Sequence, residues 1–426
     1  MGKLDNETIN SLLGIRESFE LPERLMQIFR EGQQEEIFEK FLAIEHDLSY
    51  DWFTDYFQEE NSNRKKMMQD FTPVQVSRLL ARLAGNRKTV ADICSGTGGL
   101  SISLWNENKD AHFYCEELSK RAFPMLLFNL AIRRMVAIAV NKDVLSGETY
   151  AAYRICGGKV TELAEAPEIP EVELVVSNPP YSVKYRFGED DTRFEGYGMP
   201  PSNFADYAFV LHGLQMLKDG GKMFFILPMG VLFRGGRETE IRRGLVEKGL
   251  VKTVIGLPEK LFLNTGIPVC IICFEKTPQE GIFFINAESG FRKEGKRNIL
   301  LVEHVDRICG ACSSRLKNEK YARLVPYSEI KANGFNLNIS RYVYTYEEKE
   351  VRDLGEIMHE IAELEVDIRD TEQELLRMMK QLVTADAGEG RKLKKGIREM
   401  EAALNGGYVQ TRLDLRTLEN RRCGKS

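Results

Sequence analysis

The sequence has 426 residues, of which 43% are hydrophobic and 29% charged, with a formal net charge of -5 and a pI near 5.8. That length allows a large core and two or three domains, and no apolar run approaches the roughly 18 residues a spanning helix needs. The acidic balance argues against a protein that holds nucleic acid unaided through a broadly basic surface, so positive charge is either borrowed from a partner or concentrated locally. The start MGKLDNETIN has neither an apolar signal core nor the Ser or Thr of a myristoylation motif, so a cytoplasmic location without membrane association is expected. Eight Cys dispersed along the chain read as reduced thiols. Cys270/Cys273 and Cys309/Cys312 have CxxC spacing, but the first pair lies in the strand-like run IPVCIICFEK, where residues three apart face opposite sides. No metal site is expected.

Residues 1–69 read as helical, with Leu25, Ile28, Phe29, Ile37, Phe41 and Leu42 spaced for apolar faces among many charges, and nothing catalytic is expected there. Asp70-Phe71-Thr72-Pro73 makes a break, with Thr72 expected as the N-cap and Pro73 as the first residue of the amphipathic run VQVSRLLARL. Thr89 to Leu100 reads TVADICSGTGGL, a strand that carries the acid Asp92 and gives way to Gly96, Gly98 and Gly99 before an apolar helix. Glycines there let the backbone approach a ligand closely, although without a following Lys this is no P-loop. A second strand ends at Glu116-Glu117, and a carboxylate in that place suits the two hydroxyls of a ribose. Glu117, next to Leu118 and a helix, is the preferred one. A third strand, VAIAV, ends in Asn141-Lys142-Asp143, where Asp143 either accepts from an adenine amino group or caps a turn.

Leu174 to Tyr181 reads LVVSNPPY, and Pro179 and Pro180 have no N–H for a central ladder, so the strand must stop at Ser177. At its carboxyl edge stand an amide, a stiffened backbone and an aromatic face, a set that can hold a planar amine. A purine amine is a poor nucleophile because its lone pair is delocalised into the ring. The Asn178 oxygen and the Pro179 carbonyl, placed on its two hydrogens, would draw it toward tetrahedral geometry. Tyr181 would stack on the ring, which must have left its duplex. Successive strands ending in acids, then one ending in NPPY, describe an open α/β sheet with ligands at the carboxyl edge, the architecture of an S-adenosylmethionine site. The Gly- and Glu-rich stretch from Tyr185 to Pro200 is expected to be a mobile loop near the base.

These stretches resemble the modification subunit of type I restriction-modification systems, a DNA adenine N6-methyltransferase. The resemblance is carried by DFTP at 70–73, SGTGG at 95–99, EEL at 116–118, SNPPY at 177–181 and ADYAFVLH at 205–212. It continues through LPMGVLFRGGRETEIRR at 227–243, LVKTVIGLPEKLFLNTGIPVCI at 250–271 and NLNISRYV at 336–343. It implies a Rossmann-like S-adenosylmethionine-dependent fold over 70–345, after a helical region at 1–69 and before a helical, partner-binding region at 346–426. It implies cofactor binding by Phe71, Thr72, Pro73, Asp92, Ser95, Gly96, Thr97, Gly98, Gly99, Glu117, Asp143 and Asn178, and target-base binding by Asn178, Pro179, Pro180 and Tyr181. The implied partners are double-stranded DNA and a specificity subunit, with or without a restriction or translocase subunit. Two departures stand out: Ile93 occupies a position where the family has Pro, and the segment before Asp70 is shorter than usual.

From Asp353 the pattern changes: Leu354, Ile361, Ile368, Leu375 and Leu382 recur every seven residues, with Ile357, Leu364, Thr371 and Met378 three later. Such a seam packs either on the helix-like run from Arg391 to Leu404 or, as the resemblance implies, on a specificity subunit. No GxxxxGK[ST] and no nuclease constellation appears. After the core there is no stretch long enough to be a target-recognition domain, so sequence choice must lie in another chain. Two other readings stay open at this point: an NPPY methyltransferase acting on RNA guanine or protein glutamine, and a scaffold of the same fold that binds no cofactor.

Overall fold

In the computed structural model, the described residues are 4–57, 72–262, 266–277, 280–315, 320–343, 353–384 and 386–405. The chain divides into two compact units, residues 1–345 and 346–426.

The first unit opens with α1 (Asn6–Leu13), α2 (Leu21–Glu31) and α3 (Gln34–Leu42), whose buried faces carry Leu25, Ile28, Phe29, Ile37 and Phe41. Next comes α4 (Val74–Ala84), for which Pro73 and not Thr72 occupies the N-cap position. The expected start is thus one residue early, and the Thr72 hydroxyl is engaged elsewhere, as described below. There follow β1 (Thr89–Ile93), α5 (Gly99–Glu107), β2 (His112–Glu117), α6 (Ala122–Ile132) and β3 (Val136–Lys142), the alternation the sequence pattern predicts. An antiparallel pair, β4 (Thr149–Cys156) and β5 (Lys159–Glu162), extends that edge. The chain then returns to β6 (Val172–Ser177), which stops at Ser177 as the prolines require.

Beyond it run α7 (Asp206–Met216), β7 (Leu217–Pro228), α8 (Arg237–Glu247), β8 (Val251–Gly256), β9 (Val269–Glu275) and β10 (Gly281–Asn286). A small separate ribbon, β11 (Arg292–Glu294) with β12 (Arg297–Ile299), precedes α9 (Val302–Ser314), β13 (Ala322–Pro326) and α10 (Tyr327–Ala332). The main sheet has eleven strands in the order β13-β10-β8-β9-β7-β6-β1-β2-β3-β4-β5. β1 pairs in parallel with β2 on one side and with β6 on the other, so the strand order reverses at β1. In open α/β sheets that reversal opens a crevice at the carboxyl ends of the two strands. Here the Gly-rich turn leaves one of them and Asn178-Pro179-Pro180-Tyr181 the other.

The central strands are buried on both faces. Val90, Leu174 and Val176 join a core with the amino-terminal helices, and Ala91, Ile93 and Val175 join a second core with α7 and α8. Each such aliphatic side chain contributes about 1.5 to 3 kcal/mol on burial. The amino-terminal helices belong to the first of these cores, where Phe38, Phe41 and Phe53 all contact the ring of Phe128 on α6. Cys270 and Cys273 of β9 fall into different cores, on opposite faces of the strand.

The second unit contains α11 (Leu354–Lys380), capped by Asp353, and α12 (Ala387–Asn405), joined by an ion pair between Lys380 and Glu401. The heptad residues are exposed along α11 except Ile357, which is half-buried, and Leu382 lies past its end. The helix is therefore present, but among the described residues its seam is not closed into a coiled coil. The apolar side chains that a heptad repeat aligns remain in water until another helix covers them.

Gly281 sits where a Cβ would lie 2.2 Å from the Val325 carbonyl oxygen of the neighbouring strand, whereas a Cβ on Gly310, inside α9, would meet nothing within 4 Å. Gly281→Ala should therefore lower unfolding stability by about 1 to 3 kcal/mol, because backbone must move. Gly310→Ala should leave stability equal or raise it by up to about 1 kcal/mol. Urea midpoints of the two variants, compared with the parent protein, measure both.

Candidate active site

β1 and β6 place Ile93 beside Ser177, and the Ser177 hydroxyl donates to the Ile93 carbonyl at 2.5 Å. The next residues on each strand, Cys94 and Asn178, start the two turns that form the crevice. Along the first, Gly96 and Gly98 adopt φ of 59° and 100°, conformations open to glycine at little cost. A Cβ on Gly98 would also press on Leu126 at 3.0 Å.

At the end of β2 the two acids separate. Glu116 is fully buried, accepting from Lys142 Nζ at 2.9 Å and facing His212 Nε2 at 2.8 Å. Burial pushes its carboxyl up, but His212 and Lys142 outweigh burial and hold it below the usual carboxylate range. Glu117 turns toward the glycine turn, where one oxygen accepts from the Gly96 N–H at 2.8 Å and the other from the Ser119 N–H at 2.6 Å. Asp92 lies deeper. Its Oδ2 accepts from Ser101 at 2.6 Å, its Oδ1 is buried with no hydrogen-bond partner among the described residues, and burial pushes its carboxyl up to about 7. Asp143 accepts from the Leu145 N–H at 2.9 Å, the turn-capping arrangement. Phe71 lies outside the described residues.

Across the crevice, Asn178 is clamped from two sides. Its Nδ2 donates to the Thr72 hydroxyl at 3.0 Å, and its Oδ1 accepts from the Tyr181 hydroxyl at 2.8 Å. Thr72 thus links the start of α4 to the NPPY turn. Tyr181 is largely buried, with its ring edge-on to Phe262 at a centroid distance of 6.4 Å. Ser182, with φ of 56°, gives its N–H to Asp206 Oδ1 at 2.9 Å, and Asp206 Oδ2 accepts from Arg234 at 3.0 Å. Arg234 also lies 3.1 Å from Glu238 Oε2 and stacks 4.2 Å from the centre of the Phe204 ring. Glu238 is buried and its carboxyl is pushed up to about 7, chiefly by that burial.

The Tyr185–Pro200 loop, expected to be mobile, is tied down at its middle. Arg193 donates to the carbonyls of Val144 and Leu145 at 2.5 and 2.7 Å, and Phe194 is buried.

Three groups at this site escape the sequence pattern. Asp51 is one: its carboxylate accepts from the Thr97 hydroxyl inside the glycine turn, from Asn129 at 2.7 Å and from Thr54 at 2.7 Å. It is reinforced by buried Arg133, which donates to the carbonyls of Leu48 and Tyr50 on the same loop. Nothing in the periodicity of the amino-terminal segment singles out one acid among many. Phe262 and Arg234 are the others, and both sit in long blocks carrying no local motif of their own.

A crevice of this kind, between a glycine turn and an NPPY turn at a strand-order reversal, invites comparison with known proteins. The N-6 DNA methylase family matches residues 47–351. The chain belongs to that family. It is 31% identical over 371 residues to the MjaVII methylase subunit of a type I restriction enzyme from Methanocaldococcus jannaschii, covering 81% of this chain and 61% of that one. With the MpnII methylase subunit of a type I restriction enzyme from Mycoplasma pneumoniae it shares 29% identity over 334 residues, 74% of this chain and 59% of the relative. The chain thus spans about 60% of the length of these relatives. Among solved structures, a type I restriction-modification methyltransferase subunit from Streptococcus thermophilus superimposes with a TM-score of 0.60 at 30% identity, covering 68% of this chain and 63% of that one. The fold is that of the S-adenosylmethionine-dependent methyltransferases, with the helical amino terminus expected of it.

The local features fit that cofactor: a glycine cradle that a Cβ would fill, a buried acid oxygen without a hydrogen-bond partner, and a carboxylate held at the end of β2. The raised Asp92 carboxyl also makes a pH prediction. A folded-state value of about 7 against 3.8 means stability that is full below about pH 4 and is lost as pH rises through about 7. Asp92→Asn has no charge to bury, so between pH 5.5 and 8 its stability relative to the parent protein should rise by roughly 2 kcal/mol. Urea titrations at the two pH values measure the difference, and a parallel decline in both proteins would show that Asp92 is not the group titrating.

Proposed function

We propose that this chain is the modification subunit of a type I restriction-modification system, a site-specific DNA adenine N6-methyltransferase that uses S-adenosylmethionine. The observation that carries the reading is the clamp on Asn178 at the carboxyl end of β6, opposite the glycine turn of β1. The family match and the type I methylase relatives favour adenine in DNA over guanine in RNA or glutamine in protein.

Asp92, Ser95, Gly96, Thr97, Gly98, Gly99 and Glu117 would hold the cofactor, together with Phe71, Thr72, Pro73 and Asp143. Glu117, aimed by two backbone N–H groups, is suited to accept from a ribose diol. When bound, S-adenosylmethionine supplies an electrophilic methyl group. The chain's own work is on the amine. Thr72 and Tyr181 fix the amide from its two ends, and Oδ1 together with the Pro179 carbonyl would accept from the N6 hydrogens. Pro180 keeps that carbonyl rigid. Tyr181 and Phe262 are the aromatic surfaces for the extruded base, and their ring-to-ring contact gives way when the base enters.

The proposed base-reading partner is a specificity subunit, and the exposed apolar seam of α11 suits helices of such a chain. A restriction subunit would join the same assembly. A cytoplasmic location agrees with the finding that no described helix is long and apolar enough to cross a membrane.

Asn178→Ala should abolish methyl transfer to duplex DNA, a loss of roughly 2 to 4 kcal/mol or more in transition-state stabilisation, while changing cofactor affinity little. Methylation assays and calorimetric titration with S-adenosylmethionine test both halves, and equal loss of cofactor binding would count against the role. Glu117→Ala should weaken S-adenosylmethionine roughly ten- to a hundredfold, as expected for a charged acceptor on two hydroxyls. A larger effect from Glu116→Gln in the same titration would reverse the assignment of the two acids.

A further inference from the structure

The ribbon β11–β12 carries a dense cluster of positive charge in this acidic chain. Residues 291–298 read FRKEGKRN, with four cations and one acid, in a chain whose net charge is -5. Arg292, Lys293, Lys296 and Arg297 are exposed, and none forms an ion pair with another described residue. The ribbon is a two-stranded sheet separate from the eleven-stranded one. A two-stranded ribbon is marginal by itself and needs an anchor. The anchor is Asn298, which is buried. Its N–H donates to the Lys260 carbonyl at 3.1 Å, and its side chain donates to the Glu259 carbonyl at 2.8 Å.

The anchored segment leads directly to Phe262, whose ring meets Tyr181. The basic ribbon and an aromatic wall of the base pocket therefore hang from one stretch of backbone. Arg292 pairs with Ile299 and Glu294 with Arg297, which leaves Gly295 and Lys296 at the tip. Three residues of strand span about 10 Å. Duplex DNA carries one phosphate per roughly 3.4 Å along each strand, so the ribbon can meet about two to four of them.

We propose that the ribbon 292–299 is a phosphate clamp that grips the DNA backbone beside the flipped base. The inference rests on the DNA methyltransferase reading and adds a second contact to it. An extruded base has no stacking to hold it, and fixing the phosphates that flank it keeps the duplex from sliding while the base is held in the pocket. Because such contacts carry no sequence information, the clamp acts alike on every DNA.

The test replaces Arg292, Lys293, Lys296 and Arg297 together by Gln in the full chain, assembled with its natural specificity subunit. Affinity for a short fluorescent duplex of arbitrary sequence is measured between about 50 and 200 mM salt. The slope of log K against log salt should become shallower by about 2 to 4, and affinity at the upper end should fall at least tenfold. Lys296→Gln alone, at the exposed tip, should reduce the slope by about 1. Affinity for S-adenosylmethionine and assembly with the specificity subunit should not change, and methylation should recover at low salt. An unchanged slope in a complex that still methylates adenine overturns the clamp and leaves the enzymatic reading standing. Loss of assembly with an unchanged DNA slope overturns it in favour of a protein contact. A parent complex that neither binds nor methylates DNA removes the enzymatic reading itself and the clamp with it.

Discussion

The site depends on the parallel pairing of β1 with β6. It is a pairing between strands about eighty residues apart in sequence, and it sets Ile93 against Ser177 with a side-chain to backbone hydrogen bond at the very end. Everything that follows in each turn inherits that register. A one-residue slip would turn Asn178 to the other face of the sheet and leave the glycine turn without its counterpart. The pairing is held by burial on both faces, so the register is set by two cores at once.

Buried charges then stiffen the crevice from outside. Asp51 and Arg133 tie the amino-terminal loop to the glycine turn, while Asp206 and Arg234 tie α7 and the segment after β7 to Ser182 at the end of the NPPY turn. Buried ion pairs add little net stability, because desolvation offsets most of the attraction, but removing one partner leaves an uncompensated charge. Their effect here is geometric. Helix α7 carries Asp206 in its first turn and His212 further along, and His212 faces Glu116 next to the cofactor turn. One rigid element thus touches both halves of the crevice.

The electrostatic arrangement of the chain is uneven. Acidic groups dominate overall, yet a basic ribbon is hydrogen-bonded through Asn298 to the segment that leads to Phe262. In the proposed DNA complex, concentrating cations beside the extruded base would keep non-specific attraction small elsewhere and leave register on the DNA to a base-reading partner. The exposed seam of α11 suits the same division of labour, because apolar residues at heptad spacing stay in water only until another helix covers them.

Much of this was legible in the sequence because local chemistry dictated it. The prolines after Ser177 ended β6, the glycines at 96 and 98 took positive φ, and apolar runs between acids produced the alternating strands and helices. Other features were set by contacts distant in sequence. Thr72 had the look of a helix cap but serves Asn178, and the choice between Glu116 and Glu117 turned on Lys142 and His212, which no spacing rule connects to them. The loop after Tyr185 read as mobile from its composition, while Arg193 and Phe194 pin it. Asp51 was one acid among many until the fold carried it to Thr97. Local propensity is written residue by residue, and so the sequence determined the elements and the chemistry of each turn. Only the tertiary structure decided which buried polar groups met, because each must find its partner wherever the packed chain brings one within hydrogen-bond reach.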